Sequence, residues 1–407
     1  MRAGIAYGNA MAAYDLGMQV ATDAMRHGQI TAPDLVLAFV NKQIDAEAFA
    51  NGLRSVLGAS VPIIGGSGIG VITNDQLSYD GAPAGVAVLQ LDGGTMQYAT
   101  ASGVDQSEYE AGRHLGEQLS GSPDAKLLLM FYDSIKIPAT PATPPSMNAS
   151  PPLIAGIESA LPSGIPIVGA GLVGDFGFSS TIQFAGLSVA QQVVVGMLLG
   201  GAIEPYGAIM HGCSLKDGIY HTITRMSGPV IFEIDGRPAT EVIDSEYGGT
   251  SWREQLPVRR LSIGVNHGDR FGDFREDQVV ARLIAGVTPD ESGLVLFEPD
   301  LEEGTEFQFL LRDGQMMIES ARRNATALIE RVRAAGQTPR FALYIDCAGR
   351  CAAFSDTLTE EASEIQAVMN QHQVPLLGFY SGVEVAPLLG RSRGLDWTGV
   401  LLILAES

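Results

Sequence analysis

Short unbroken apolar runs recur along the chain between polar turns. Three of them are "DLVLAFV" (34–40), "KLLLMFY" (126–132) and "RFALYID" (340–346). Each is followed by a stretch of helical spacing: "DAEAFANGLRSVLG" (45–58), "LIAGIESAL" (153–161) and "TEEASEIQAVMNQH" (359–372). Each such stretch leads into one phrase, an aliphatic residue, Pro, two aliphatics and Gly. It reads "VPIIGGSGIGV" from Val61, "IPIVGAGLVGD" from Ile165 and "VPLLGFYSGVE" from Val374, and it aligns Gly65, Gly169 and Gly378. A further apolar run follows at 85–91, 192–199 and 398–405, and a further helical stretch precedes each unit at 13–28, 106–120 and 316–336. The pattern predicts three helix–strand–helix–strand–strand repeats of about 90 residues. Runs without alternation, such as "LLLMF", predict strands covered on both faces. The fold class is α/β, with mixed β-sheets flanked by helices.

The second phrase contains G-x-G-x-x-G spacing at Gly169, Gly171 and Gly174. A dinucleotide fingerprint needs a helix after the glycines, its N-terminus facing the pyrophosphate. Here "DFGFSSTIQFAG" reads as turn and strand, and the next carboxylate after Asp175 is Glu204. The other two copies lack the spacing. The structural reading is that Pro ends a helix–strand connection and Gly permits a positive φ or a close backbone approach.

Between the second and third repeats, about 200–312, the pattern changes to β-like segments at 220–226, 229–235, 259–265, 292–298 and 305–311. The expected division is therefore an N-terminal part, 1–200, holding two repeats, and a C-terminal part, 201–407, holding the β-rich region (201–312) and the third repeat (313–407). The segment 136–153 carries six prolines. It is read with equal weight as a lid over a cleft or an ornament. Residues 1–28 are read as an amphipathic helix rather than a secretion signal, because Asp15, Asp23 and Arg26 interrupt the apolar character.

Charge narrows the partners. A net charge of −21 argues against nucleic acid and against anionic membranes. No apolar run reaches about 18 residues, so no membrane insertion is expected. Three cysteines make no disulfide framework, which fits a cytoplasmic location.

Candidate chemistry concentrates in the third repeat. Asp346, Cys347, Arg350 and Cys351 fall within six positions after a strand, where ligands favour α/β sheets. Arg350 offers a bidentate clamp for a carboxylate, and Cys347 beside it a thiolate. Glu384 interrupts an apolar run, next to the hydroxyls of Tyr380 and Ser381. A buried carboxylate needs a partner, and Arg350 is the natural candidate, as a structural bridge or as part of a shared ligand site. "HGCSLKDGIYH" (211–221) has no standard zinc spacing. Haem leaves no spacing signature, so any of the six histidines stays open as an axial ligand.

"VPIIGGSGIGVI", "IPIVGAGLVGD", "FEIDGRPA" (232–239), "CAGR" (347–350), Glu360–Glu361 and "GFYSGVEVAP" (378–387), in this order, resemble the FIST family (F-box and intracellular signal transduction) over nearly the whole length. Cys347 and Arg350 match its Cys-x-x-Arg element. Gly378, Phe379, Tyr380, Glu384 and Pro387 match its Gly-Phe-Tyr…Glu-x-x-Pro element. The family usually has Gly directly before the Glu, where Val383 stands here. The resemblance implies a stand-alone bacterial sensor that binds a small ligand, an amino acid or similar metabolite, and signals to a separate protein such as a histidine kinase or cyclic-dinucleotide enzyme. This layout leaves no room for an appended output domain. The ligand-binding set expected is Asp346, Cys347, Arg350, Tyr380, Ser381 and Glu384. The alternatives are a haem-binding nitric-oxide sensor beside a histidine kinase, and a cysteine-dependent or nucleotide-using enzyme.

Overall fold

A computed structural model describes residues 1–140, 143, 145–355 and 357–407. Pro141, Ala142 and Pro144 of the proline-rich stretch, and Asp356, lie outside the described residues. The predicted strands and helices of the three repeats form within a few residues of their expected positions. Each repeat centres on a parallel pair: Leu35–Val40 with Ile63–Ser67, Ala125–Asp133 with Ile167–Leu172, and Thr338–Cys347 with Leu376–Ser381. Antiparallel strands complete each pair into a six-stranded mixed sheet. A further sheet gathers the β-rich region, including Cys213–Ser227, Leu261–Asn266 and Glu306–Arg312.

Residues 1–28 depart from the single-helix reading. Arg2–Asn9 is a strand, paired antiparallel with Pro83–Gln90, and the helix is Ala13–His27. The first nine residues are short of charge and carry Ile5 and Tyr7. Sheet pairing decides between strand and helix for such a segment.

The strand after each glycine phrase leaves its own sheet. Val71–Thr73 of repeat one pairs with Leu376–Ser381 of repeat three. Gln183–Gly186 of repeat two pairs with Ile63–Ser67 of repeat one. Val383–Leu388 of repeat three pairs with Ile167–Leu172 of repeat two. The exchange closes into a ring, and the borrowed strands meet the glycines themselves: Gly378 faces Ile72, Gly65 faces Phe184 and Gly169 faces Val385. Alternate side chains of the three sheets fill one core between them, where Phe39, Phe131 and Phe379 pack within 6.0 Å of one another, one from each repeat.

The repeated glycines are close-approach positions. A Cβ at Gly169 would stand 1.7 Å from the Met130 carbonyl oxygen, one at Gly65 2.2 Å from that of Ala38, and one at Gly378 2.7 Å from that of Tyr344. In each case the obstructing residue is the register partner on the parallel strand. The stretch at 169–174 runs as strand and then turn, with no helix after it, so it lacks the helix N-terminus on which a dinucleotide phosphate would sit.

Helices cover the outer faces. In repeats one and two the helix pairs touch backbone to backbone. A Cβ at Gly17 would lie 2.3 Å from the Phe49 oxygen, and one at Gly112 2.2 Å from the Leu153 oxygen. In repeat three the pair Gly314–Ala334 and Ala362–Gln371 has no interior glycine. Among the described residues no helix is long and apolar enough to cross a membrane.

The Gly169→Ala protein is expected to lose about 3 kcal/mol or to fail to fold, since backbone cannot yield as a side chain does. Gly207→Ala, where the nearest atom is 4.0 Å away, is expected to stay within about 0.5 kcal/mol. Urea unfolding of both checks the contrast.

Candidate functional site

The strand Thr338–Cys347 ends in a short turn, Ala348–Arg350, and the chain returns to the helix Ala362–Gln371. The segment 347–361 between them is fastened by side chains at both ends. Arg350 is 1% exposed and Glu361 1%. The guanidinium grips Glu361 with both edges, Nη2 to Oε2 at 2.5 Å and Nε to Oε1 at 3.2 Å. Its Nη1 donates to the carbonyls of His211 (2.9 Å) and Trp397 (2.7 Å). Tyr344 donates its hydroxyl to Glu361 Oε1 at 2.6 Å. A bidentate pair with its remaining donors satisfied is the form in which a buried ion pair is tolerated.

Glu360 makes a second fastening. It accepts from the hydroxyls of Tyr79 (2.8 Å) and Tyr380 (3.0 Å) and from the backbone N–H of Ala352 (2.9 Å). Burial and the Glu360 carboxylate hold both phenols above their ordinary range, so they remain donors. Tyr79 belongs to repeat one, so this contact joins repeats.

The expected residues Asp346, Cys347, Arg350, Tyr380, Ser381 and Glu384 gather at the carboxyl ends of the third parallel pair and the start of the borrowed strand, all of them buried. Arg350 does not pair with Glu384. Its carboxylates are Glu361 and Asp346, the latter 3.2 Å from Nε. Glu384 accepts instead from Ser381 Oγ at 2.7 Å and the Thr398 N–H at 3.3 Å. Burial pushes Glu384 well above the usual carboxylate range, and burial together with Glu361 does the same to Asp346. Neither oxygen of Asp346 has a hydrogen-bond partner among the described residues. Burial, followed by Glu384, raises the Cys347 thiol well above its ordinary value, and burial lifts Cys351 to about 12. Both are thiols at neutral pH, whereas the nucleophile is the thiolate.

Sequence reasoning missed Tyr344 and the choice of Glu361 as partner, although Glu360–Glu361 stood out as an acidic pair. It also missed a second buried seam beyond Glu384. There Arg282 binds Asp300 through two contacts of 2.7 and 2.5 Å and lies 3.7 Å from Asp396, with Glu298 close by. Burial, then Asp396, lifts Glu298 to about 8.

The histidines do not converge. No group of three or more potential metal ligands exists among the described residues. His211 is buried, its Nδ1 accepts from the Cys213 N–H, and burial pushes it to about 4, so it is neutral. His27 lines a groove walled by Asn74, Asp75 and Gln76, and His114 one walled by Glu117 and Gln118. The His27 groove is also lined by Ala3, Ile5, Tyr7, Val374 and Pro375, so of the two it is the one with an apolar wall, which a porphyrin seeks.

A model of the FIST N domain matches residues 34–237, and one of the FIST C domain matches 239–387. The chain belongs to the FIST family, whose domains are sensor domains of signal transduction. It is 26% identical over 246 residues to Uncharacterized protein Mb0898c of Mycobacterium bovis and, equally, to Uncharacterized protein MT0897 of Mycobacterium tuberculosis. These matches take in 60% of this chain and 61% of the length of each relative. Among solved structures, a chorismatase aligns at TM-score 0.34 and 10% identity, over 100% of this chain and 98% of its own. A cyanuric acid hydrolase from A. caulinodans aligns at 0.35 and 9%, over 100% and 99%. At these scores neither bears on function here.

Glu361→Gln leaves Arg350 underpaired in the interior and is expected to cost about 3–5 kcal/mol in urea unfolding at pH 7. Glu298 gives the opposite sign. In the unfolded chain it ionises near 4.5, while folded it holds its proton to about 8. Between those values the folded state binds the extra proton, so its contribution is full below pH 4.5 and is lost as pH rises to 8. Glu298→Gln is therefore expected to gain on the parent protein by on the order of 3–5 kcal/mol between pH 4 and pH 9. Denaturant curves across that range measure it.

Proposed function

We propose that the chain is the ligand-sensing member of a signalling pair in the cytoplasm. A small metabolite, of the amino-acid class or similar, binds at the third repeat, and a separate protein such as a histidine kinase or cyclic-dinucleotide enzyme reads the change. In this reading the C-terminal part, 201–407, carries the site and the N-terminal part, 1–200, is the body against which it works. The family supplies the sensing role. The observation that carries the location is the fastening of segment 347–361: Arg350–Glu361 and Glu360 hold it to the strand ends, to repeat one and to its own turn.

The residues of the expected set are buried, with Arg350 and Tyr380 engaged by Glu361 and Glu360, so they act on the ligand through that segment or after it moves. Ser355, Thr357 and Thr359 of the segment line a cleft of about 620 Å³, which is of metabolite size. A ligand that binds one position of the segment better than another shifts its population, and the partner reads the difference.

Glu360→Ala unties the segment from Tyr79 and Tyr380 without leaving a buried charge. Amide hydrogen exchange in 347–361 is expected to rise about tenfold or more, while the core strands keep their protection. In a thermal-shift screen of amino acids and related metabolites, a hit for the parent protein is expected to weaken in this variant. A hit that binds Glu360→Ala and Arg350→Lys unchanged moves the site elsewhere. A Soret band on adding hemin, lost with His27→Ala, moves the reading to haem.

A further inference from the structure

The helix Ala13–His27 buries one face against the first sheet and leaves a second stripe outside. Met11, just before it, and Tyr14 and Met18 within it are 63%, 45% and 38% exposed. Asp15, Gln19, Thr22 and Arg26 continue the stripe at the three- and four-residue spacing of one helix face, and all are exposed. The neighbouring helix Ala46–Leu57 extends it. A Cβ at its Gly52 would stand 2.1 Å from the Tyr14 carbonyl oxygen, and exposed Val56 lies one turn further on. Leu187, also exposed, follows Gly186, whose carbonyl accepts from Arg54 of that helix. Single exposed apolar residues need no explanation, but a cluster on one face does.

Repeat two shows the same surface when water is its partner. Gly17 and Gly112 hold the same place, each against a carbonyl of the second helix. Counting from them, Met11, Met18 and Thr22 correspond to Gln106, Arg113 and Glu117. Arg113 pairs with Glu110 and Glu117 across that face. The fold shared by the repeats therefore does not require the apolar stripe of repeat one.

The charges say what covers it. The helix Ala13–His27 is acidic in its first turn, at Asp15, and basic in its last, at Arg26. The two are about three turns apart and on one side of the helix. Asp15 takes part in no ion pair among the described residues, and Arg26 pairs only with Asp23 of its own helix, at 2.6 Å. Laid antiparallel against a copy of itself, the helix sets each Asp15 beside the other copy's Arg26, with Met18 and Thr22 between them. A partner of one charge sign would match only one end of the stripe. Repeat two lacks this complement: Glu110 corresponds to Asp15 but Gly121 to Arg26, and the helix Glu108–Leu119 has no basic residue in its last turn.

We propose that the outer face of repeat one's helix pair is a twofold interface between two copies of this chain, with Met18 and Thr22 at the axis and Asp15 and Arg26 as flanking ion pairs. The helix is about 22 Å long. Such a face is smaller than a standard interface, so the dimer is weak, with a dissociation constant on the order of ten micromolar. This face lies on repeat one, away from the residues of the sensing reading, and the inference does not depend on that reading.

Sedimentation velocity of the full chain from about 1 µM to about 200 µM, at about 0.15 M salt, tests it. Expected is a concentration-dependent equilibrium of monomer and dimer. Met18→Arg, which gives repeat one the residue of repeat two, is expected to weaken it on the order of 100-fold. Its melting temperature is expected to stay within about 2 °C of the parent's, since the position is on the surface. Asp15→Arg alone and Arg26→Asp alone are each expected to weaken association about tenfold. Mixed one to one, these two chains are expected to associate as the parent does, because each charge again meets its opposite. A folding defect cannot produce that recovery. A monomer throughout the range overturns the proposal, and so does a dimer that Met18→Arg leaves intact. A mixture that stays as weak as its two components overturns the antiparallel arrangement.

Discussion

The strand that follows each glycine phrase must cross to another repeat's sheet, and this exchange holds the three repeats as one body. Repeat one gives to three, three to two and two to one. A sheet edge left open is a liability, and here each parallel pair closes one edge with chain that another repeat supplies. The exchange fixes why glycine recurs. Gly65, Gly169 and Gly378 each lie between the parallel partner and the borrowed strand, with a carbonyl oxygen where a Cβ would go. It also fixes the core, because the apolar faces of all three sheets then meet around Phe39, Phe131 and Phe379. The borrowed strand of repeat three comes from the C-terminal part and completes a sheet of the N-terminal part, so the two sequence parts are interleaved in space.

Against this common frame, repeat three departs in chemistry. The register partners Ala38, Met130 and Tyr344 align the strands. Two residues further on stand Val40, Tyr132 and Asp346. A buried aliphatic and a buried phenol are replaced by a carboxyl with no hydrogen-bond partner among the described residues. The helix pair loses its interior glycines here, and a turn with Arg350 is inserted before the second helix. Each change gives up packing that repeats one and two retain. Local departures from the stabilising pattern of this kind are expected at functional or strained sites.

The repeats, their strands and their helices were legible because apolar runs and helical spacing are local signals. The family was legible from motifs in order. What pairs with what was not. Val71–Thr73 lies beside Leu376–Ser381 across some three hundred residues, and no local pattern carries that. Arg350 had two plausible carboxylates in sequence, Glu384 in an apolar strand and Glu361 before a helix. The turn Ala348–Arg350 aims the guanidinium at Glu361, while Glu384 is taken up by Ser381 and Thr398. The strand Arg2–Asn9 was read as helix, since its partner at 83–90 is what makes it a strand. Arg312 drew no notice because its partners, the Trp397 ring and the Gly349 carbonyl, are brought to it by tertiary packing.

Arg312 and Arg350 are coupled through the charge between them. Arg350 is paired with Glu361, yet it still lowers Arg312. The Gly349 carbonyl, directly before Arg350, accepts from Arg312, and Ser355 Oγ, 3.1 Å from Arg312 Nη2, donates to the Arg350 carbonyl at 2.7 Å. The two arginines thus share one piece of backbone. A displacement of Arg312 would bear on the turn that carries Arg350. That turn is one end of segment 347–361, and Glu360 at the other end touches Tyr79 of repeat one. Contiguous polar contacts therefore run from Arg312 through the turn at Arg350 and through Glu360 to Tyr79 of repeat one.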